Sequence, residues 1–204
     1  MNIYSPVPTA AVGLVMMCWL VFFVGLLLQK RRPKSVERKR EKSFAGGIIL
    51  QSIGYAIVWA LQRPKFTSII EMNLTIDVVL AVLATGLACA SVGLILWAMR
   101  VLGRQWSIAA RLVEGHELIM EGPYRIVRHP IYSGMLGMLL ATGLVLSYWY
   151  ALAAGGVIFW LGTRLRTRSE EKLLRGEFGE KYDSYALTVP ALVPRPRLMM
   201  PTEK

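Results

Sequence analysis

The chain is poor in residues that cross-link or ligate. Its 204 residues include two cysteines, Cys18 and Cys89, and two histidines, His116 and His129. Both cysteines fall inside apolar segments and no CxxC pair occurs, so no disulfide framework is written here and both read as small buried hydrophobes. Two histidines thirteen positions apart, without a thiol ligand, make at best a weak metal site, and no metal is expected. No GxGxxG follows a strand pattern, which removes the usual signal of a dinucleotide fold. Internal repeats and low-complexity tracts are missing too. Charge is locally absent: Met1 to Gln29 contains no charged residue. A secretory signal would place basic residues before its apolar region and a cleavage site after it. Here the basic residues follow, so the segment reads as a retained helix.

Acids are also scarce, 13 against 24 Lys and Arg, for a net charge of +11. The excess invites a nucleic-acid reading, but its distribution argues against one. Lys30 to Ser43 holds eight Lys and Arg against two Glu, directly after an apolar helix. That is the pattern of a cytoplasmic juxtamembrane segment, and residues 30–42 are expected to face anionic lipid.

What the chain has in quantity is apolar length. Hydrophobic residues make up 54% of it, and its mean hydropathy is +0.45. Five apolar segments stand out: Val7 to Gln29, Phe44 to Gln62, Leu74 to Met99, Ile131 to Ser147 and Trp149 to Gly162. A span of the hydrocarbon core needs about 20 helical residues. The last two segments are short and nearly continuous, and read as a tight helical hairpin. An all-α integral membrane protein with about five transmembrane helices is therefore expected. Residues 1–204 read as a single membrane domain, with three helices in 1–99 and the chemistry in 100–204. With the N-terminus outside, only Arg63 and Lys65 lie on the outer side and 22 of the 24 Lys and Arg lie inside, together with the C-terminus.

Three polar clusters interrupt this apolar chain, all on the predicted inner side. The first runs from His116 through Gly122-Pro123-Tyr124-Arg125 to Arg128-His129-Pro130-Ile131-Tyr132. Gly122-Pro123 signals a turn, and Pro130 suits the first position of the fourth helix. His129 would then sit at the helix start beside free N–H groups. With Arg125 and Arg128 those groups would make an anion site, or the arginines would simply meet lipid phosphates. The second cluster is Arg164, Arg166, Arg168, Glu170 and Glu171, where the fifth helix leaves the membrane. If that helix continues, Arg166 and Glu170 share a face at i,i+4, as a solvated ion pair or as part of a site. The third is Leu174, Phe178, Tyr182 and Tyr185, one face of a helix. Such a helix could lie on the membrane, or its aromatics could close over a bound adenosine, with Gly176 and Gly179 allowing bends.

At these residues the sequence resembles the isoprenylcysteine carboxyl methyltransferase family, with its phospholipid methyltransferase relatives. The resemblance is carried by His116-Glu117-Leu118-Ile119, Gly122-Pro123-Tyr124, Arg128 to Tyr132, Arg166 with Glu170-Glu171, Phe178 to Tyr182, Tyr185 and Val189-Pro190. It covers about Trp106 to Pro190. It implies an S-adenosylmethionine-dependent methyltransferase acting on a lipophilic acceptor from the bilayer. The cofactor pocket would be cytoplasmic, formed by the loop before the fourth helix and the C-terminal tail. By position it implies cofactor contacts at His116, Glu117, Leu118, Ile119, Tyr124, Arg128, His129, Pro130, Ile131, Tyr132, Tyr182 and Tyr185. Catalytic roles fall to Arg166, Glu170 and Glu171. A glutamine that some eukaryotic members place seven residues before the first histidine is Ala109 here. The acceptor stays open among carboxylates, amines and thiols. Two other readings are a sterol-type NADPH reductase, whose members are much longer, and a non-catalytic lipid-binding protein.

Overall fold

The computed structural model describes residues 6–30, 37–40, 44–64, 74–107, 111–113 and 115–194. Five long helices follow the apolar segments: α1 (Pro6–Lys30), α2 (Phe44–Ala60), α3 (Leu74–Leu102), α4 (Pro130–Leu146) and α5 (Trp149–Phe178). A short α6 (Glu180–Thr188) follows. Of the described residues, two helical stretches, Thr9–Leu28 and Thr75–Leu102, are long and apolar enough to cross a membrane; Ala45–Ala60 and Pro130–Leu146 are shorter apolar helices. Much of the apolar surface of α1 points outward: Leu14, Met17, Leu20, Phe23, Leu27 and Leu28 are all exposed. Such a surface suits lipid, and the chain is a membrane protein. Cys18 is buried, but Cys89 is exposed on α3 and is no core residue.

Close backbone approach holds α2 against α5. A Cβ on Gly54 would lie 2.7 Å from the Gly155 carbonyl oxygen, and one on Gly47 would lie 2.8 Å from that of Gly162. Each helix thus presents two glycines seven residues apart, meeting their antiparallel counterparts. Small-residue packing of this kind also brings membrane helices together where lipid removes the hydrophobic driving force. The α4–α5 hairpin forms as expected, and it is closed by an unexpected cap. Arg63 is buried, and its guanidinium donates to the carbonyls of Ser147 (2.8 Å) and Leu144 (3.1 Å) at the end of α4. Helix ends leave such carbonyls without partners, and a cation suits them. Trp149 and Tyr150 stand exposed beside this turn, as aromatic side chains do at a membrane surface.

The fold is helical as expected, with one short addition: β1 (Glu37–Arg40) pairs antiparallel with β2 (Arg111–Val113). The ladder ties the segment after α1 to the loop after α3 and puts both on one side of the bundle. The fifth helix continues past its apolar segment, which ends at Gly162. α5 runs on for 30 residues, about 45 Å at 1.5 Å per residue, so its polar last turns project beyond its apolar part. It stops at Gly179, whose φ of 51° few residues other than glycine adopt. The face expected through Leu174, Phe178, Tyr182 and Tyr185 is therefore split between two helices.

Candidate active site

The polar clusters meet where α4 begins and α5 leaves the bundle. Gly122, at φ 57°, turns the chain into a short 3-10 turn over Gly122–Arg125 that buries Pro123 and Tyr124. His129 caps α4, and Pro130 occupies its first turn. Because α5 continues, Arg166 and Glu170 face this entry one turn apart. The Arg166 guanidinium carbon lies 4.6 Å from the centre of the Tyr132 ring. Its Nη1 donates to Gln51 Oε1 at 2.6 Å. The Tyr132 hydroxyl donates to the Glu170 carboxylate.

His129 separates the two acids. Its Nδ1 lies 3.3 Å from Glu170 Oε2 and its Nε2 lies 3.2 Å from Glu171 Oε1. Only an imidazolium can donate from both nitrogens. Burial alone would lower the His129 pKa, but hydrogen bonds and charge from Glu170 and Glu171 outweigh it and raise the pKa above the ordinary 6.5. Burial likewise pushes Glu171 up, yet hydrogen bonds from His129 and Arg128 bring it down to about 2.

Arg128 and His129 do not form the expected anion cradle. The Arg128 guanidinium donates to Glu171 (2.8 Å) and to the carbonyls of Ala186 (2.8 Å) and Val189 (2.5 Å). The N–H groups of Arg128 and His129 are taken by the carbonyls of Pro190 and Ala191, and Arg125 is exposed. These groups fasten the chain after α6 against the start of α4. Tyr185 adds a bond from its hydroxyl to the Tyr124 carbonyl at 2.6 Å.

One cavity of about 370 Å³ runs through this region. Its polar end is walled by residues 116–119, Tyr124, Arg128 to Tyr132, Glu170, Tyr182 and Tyr185. Its apolar end reaches Phe22, Leu26, Tyr55 and Ile95 between the helices. All but one of the residues expected to hold cofactor or carry chemistry are on its wall. The exception is Glu171, whose carboxylate is turned to Arg128 and His129. Buried polar atoms are normally satisfied. On this wall the His116 Nδ1 and the Tyr182 hydroxyl are buried with no hydrogen-bond partner among the described residues, as a ligand-binding wall would leave them. Burial lowers the His116 pKa, and the charge of Glu177 opposes that. Sequence reasoning missed Gln51, which stands beside Ser52 in an otherwise apolar helix with no motif around it. Ala109 and most of the basic segment, residues 31–36 and 41–43, lie outside the described residues.

Residues 82–176 match the family described as the isoprenylcysteine carboxyl methyltransferase (ICMT) family. Protein-S-isoprenylcysteine O-methyltransferase B of Arabidopsis thaliana is 39% identical over 87 residues, covering 43% of this chain and 44% of that protein. Methanethiol S-methyltransferase 2 of Bradyrhizobium diazoefficiens is 41% identical over 78 residues, covering 35% of this chain and 27% of that protein. A solved structure of the eukaryotic intramembrane Ras methyltransferase ICMT shares the fold, with a TM-score of 0.50 at 18% identity, over 87% of this chain and 74% of that one. The chain spans about half the length of the isoprenylcysteine O-methyltransferase relatives it matches. The family match spans just under half of this chain.

Proposed function

We propose that the chain is an S-adenosylmethionine-dependent methyltransferase whose acceptor is a lipophilic molecule drawn from the bilayer. One observation carries this reading: a single cavity joins a polar end, lined largely by residues within the family match, to an apolar end between helices. A water-soluble donor and a lipid-dissolved acceptor need such a meeting place. S-adenosylmethionine, when bound, supplies an electrophilic methyl group on a sulfonium. His116 to Ile119, Tyr124, His129 to Tyr132, Tyr182 and Tyr185 would hold it. The unpartnered His116 Nδ1 and Tyr182 hydroxyl suit its many polar atoms. Transfer requires acceptor, methyl carbon and sulfur in line and bulk water kept out. Arg166 orients the acceptor, with the planar fork suited to an oxygen anion. Glu170, the acid on the cavity wall, holds the donor's ammonium group or takes a proton from an amine or thiol acceptor. Glu171 serves by fixing Arg128 and His129, which is a narrower part than the catalytic one expected for it.

The remaining finer assignments belong to the same reading. Five helices cross the membrane, with the N-terminus outside and the cavity's polar end in the cytoplasm. Basic residues in 30–42 face anionic lipid there. A prenylcysteine carboxylate is the acceptor class favoured by the relative from Arabidopsis thaliana, and a small thiol is the one favoured by the relative from Bradyrhizobium diazoefficiens. The deciding experiment incubates the purified protein with methyl-labelled S-adenosylmethionine and a panel of prenylcysteine, phospholipid amine and small thiol acceptors. Label should move to one class and not the others. Label on none, together with saturable NADPH binding, would favour a reductase instead.

A further inference from the structure

Gln51 is 3% exposed at the α2–α5 contact, and its side chain sits in a directional relay. Arg166 Nη1 donates to Gln51 Oε1 at 2.6 Å, Gln51 Nε2 donates to Thr163 Oγ1 at 2.8 Å, and Thr163 donates to the Phe159 carbonyl at 2.9 Å. Each role is forced. A guanidinium only donates, and a hydroxyl whose proton goes to a carbonyl can only accept from the amide. The amide therefore has one orientation, with its oxygen on Arg166. One turn away on the same face, Gly47 leaves room for the arginine stem, since a Cβ there would lie 2.5 Å from Arg166 Cγ. The Tyr132 ring closes the other side at 4.6 Å. Gln51, Arg166 and Tyr132 all line the cavity.

We propose that Gln51 is a positioning residue for methyl transfer: its side-chain oxygen fixes the plane of the Arg166 guanidinium and, being neutral, adds no negative charge against it. The inference rests on the role proposed above for Arg166. A buried glutamine between membrane helices can also serve as interhelical glue and nothing more. Charge distinguishes the two roles. A glutamate at this position would hold the guanidinium plane equally well but cancel its charge. Glue would survive that change, and orientation of a charged acceptor would not.

Two readouts on the full chain in detergent test this. NMR of arginine-labelled protein reads rotation about the Cζ–Nη bonds of Arg166, identified by its loss in Arg166→Lys. Rotation should be slow in the wild type and in Gln51→Glu, and fast in Gln51→Leu. Fast rotation in the wild type overturns the proposal. Turnover is then compared with S-adenosylhomocysteine affinity. Gln51→Leu should lower kcat about 10- to 100-fold while affinity stays within about twofold, because misplacing an orienting group costs rate and not ground-state binding. Gln51→Glu should be as slow, and Gln51→Leu added to Arg166→Lys should cost nothing further. A fully active Gln51→Glu, or losses that add, would reduce Gln51 to packing and overturn the proposal. Slow rotation in a wild type that methylates no acceptor would instead contradict the proposed function and leave the ordered guanidinium standing.

Discussion

Arg166 and Glu170 share the cavity wall, while Glu171 faces the protein, and single substitutions should separate the three. Arg166→Lys keeps the charge but loses the planar fork that reaches Gln51 and lies against Tyr132. It should lose turnover almost as badly as Arg166→Ala, by about 10²-fold, with folding little changed. A fully active Arg166→Lys would show that any cation suffices there. Glu170→Gln should abolish turnover with a modest change in thermal stability. Glu171→Gln should do the reverse, because Arg128 and His129 both depend on that carboxylate. The same cluster sets a pH window. His129 has a raised pKa, so its contribution is full below 6.5 and is lost as pH rises through the folded value. Glu171 has a depressed pKa, so its contribution is full above 4.5 and is lost as pH falls toward about 2. Melting temperature should therefore plateau between those two ordinary values, and Glu171→Gln should lower the plateau and flatten both limbs. An unchanged alkaline limb in that variant would mean that His129 is not held charged by Glu171.

Among the elements, α2 and α5 carry the tightest constraint. Gly54→Val puts a branched side chain where a single Cβ would already lie 2.7 Å from the Gly155 carbonyl oxygen. Overpacking of this kind costs about 1–3 kcal/mol, and the cost should appear as a lower melting temperature in detergent. The same change at Gly86, where a Cβ would meet nothing within 4 Å, should have little effect. Equal losses at the two sites would mean that backbone approach does not hold this helix pair. The five helices themselves were legible in the sequence, because uncharged stretches of that length have little else to be. The ends of α5 and α6 were not. Charge rises at Thr163, which looks like a boundary, yet α5 continues because Arg166 and Leu173 still find buried places against the rest of the bundle. The β1–β2 ladder was illegible for a related reason: ERKR has no alternating apolar face to announce a strand.

Across the whole molecule, the candidate site was legible where polar residues break an apolar chain, and illegible where a polar residue's partner is backbone or lies far along the sequence. His116 to Tyr132 and Arg166 to Glu171 stand out by type and spacing. That Arg128 would spend its guanidinium on Ala186 and Val189 could not be read, because carbonyls carry no sequence signal. Gln51 meets Arg166 only through the fold, 115 positions away. The arrangement of ends is a separate matter from the site. A reporter fused after Lys204 should read cytoplasmic and one inserted near Thr67 external; the reverse would turn the cavity's polar end outward. The central claim is that this polar end binds S-adenosylmethionine, and calorimetric titration of the purified chain with S-adenosylhomocysteine tests it most directly. Saturable binding at one site is predicted, weakened at least about tenfold in His116→Ala and Tyr132→Ala, each the loss of about 1.4 kcal/mol. Heat no different from buffer, or binding that both variants leave untouched, would contradict it.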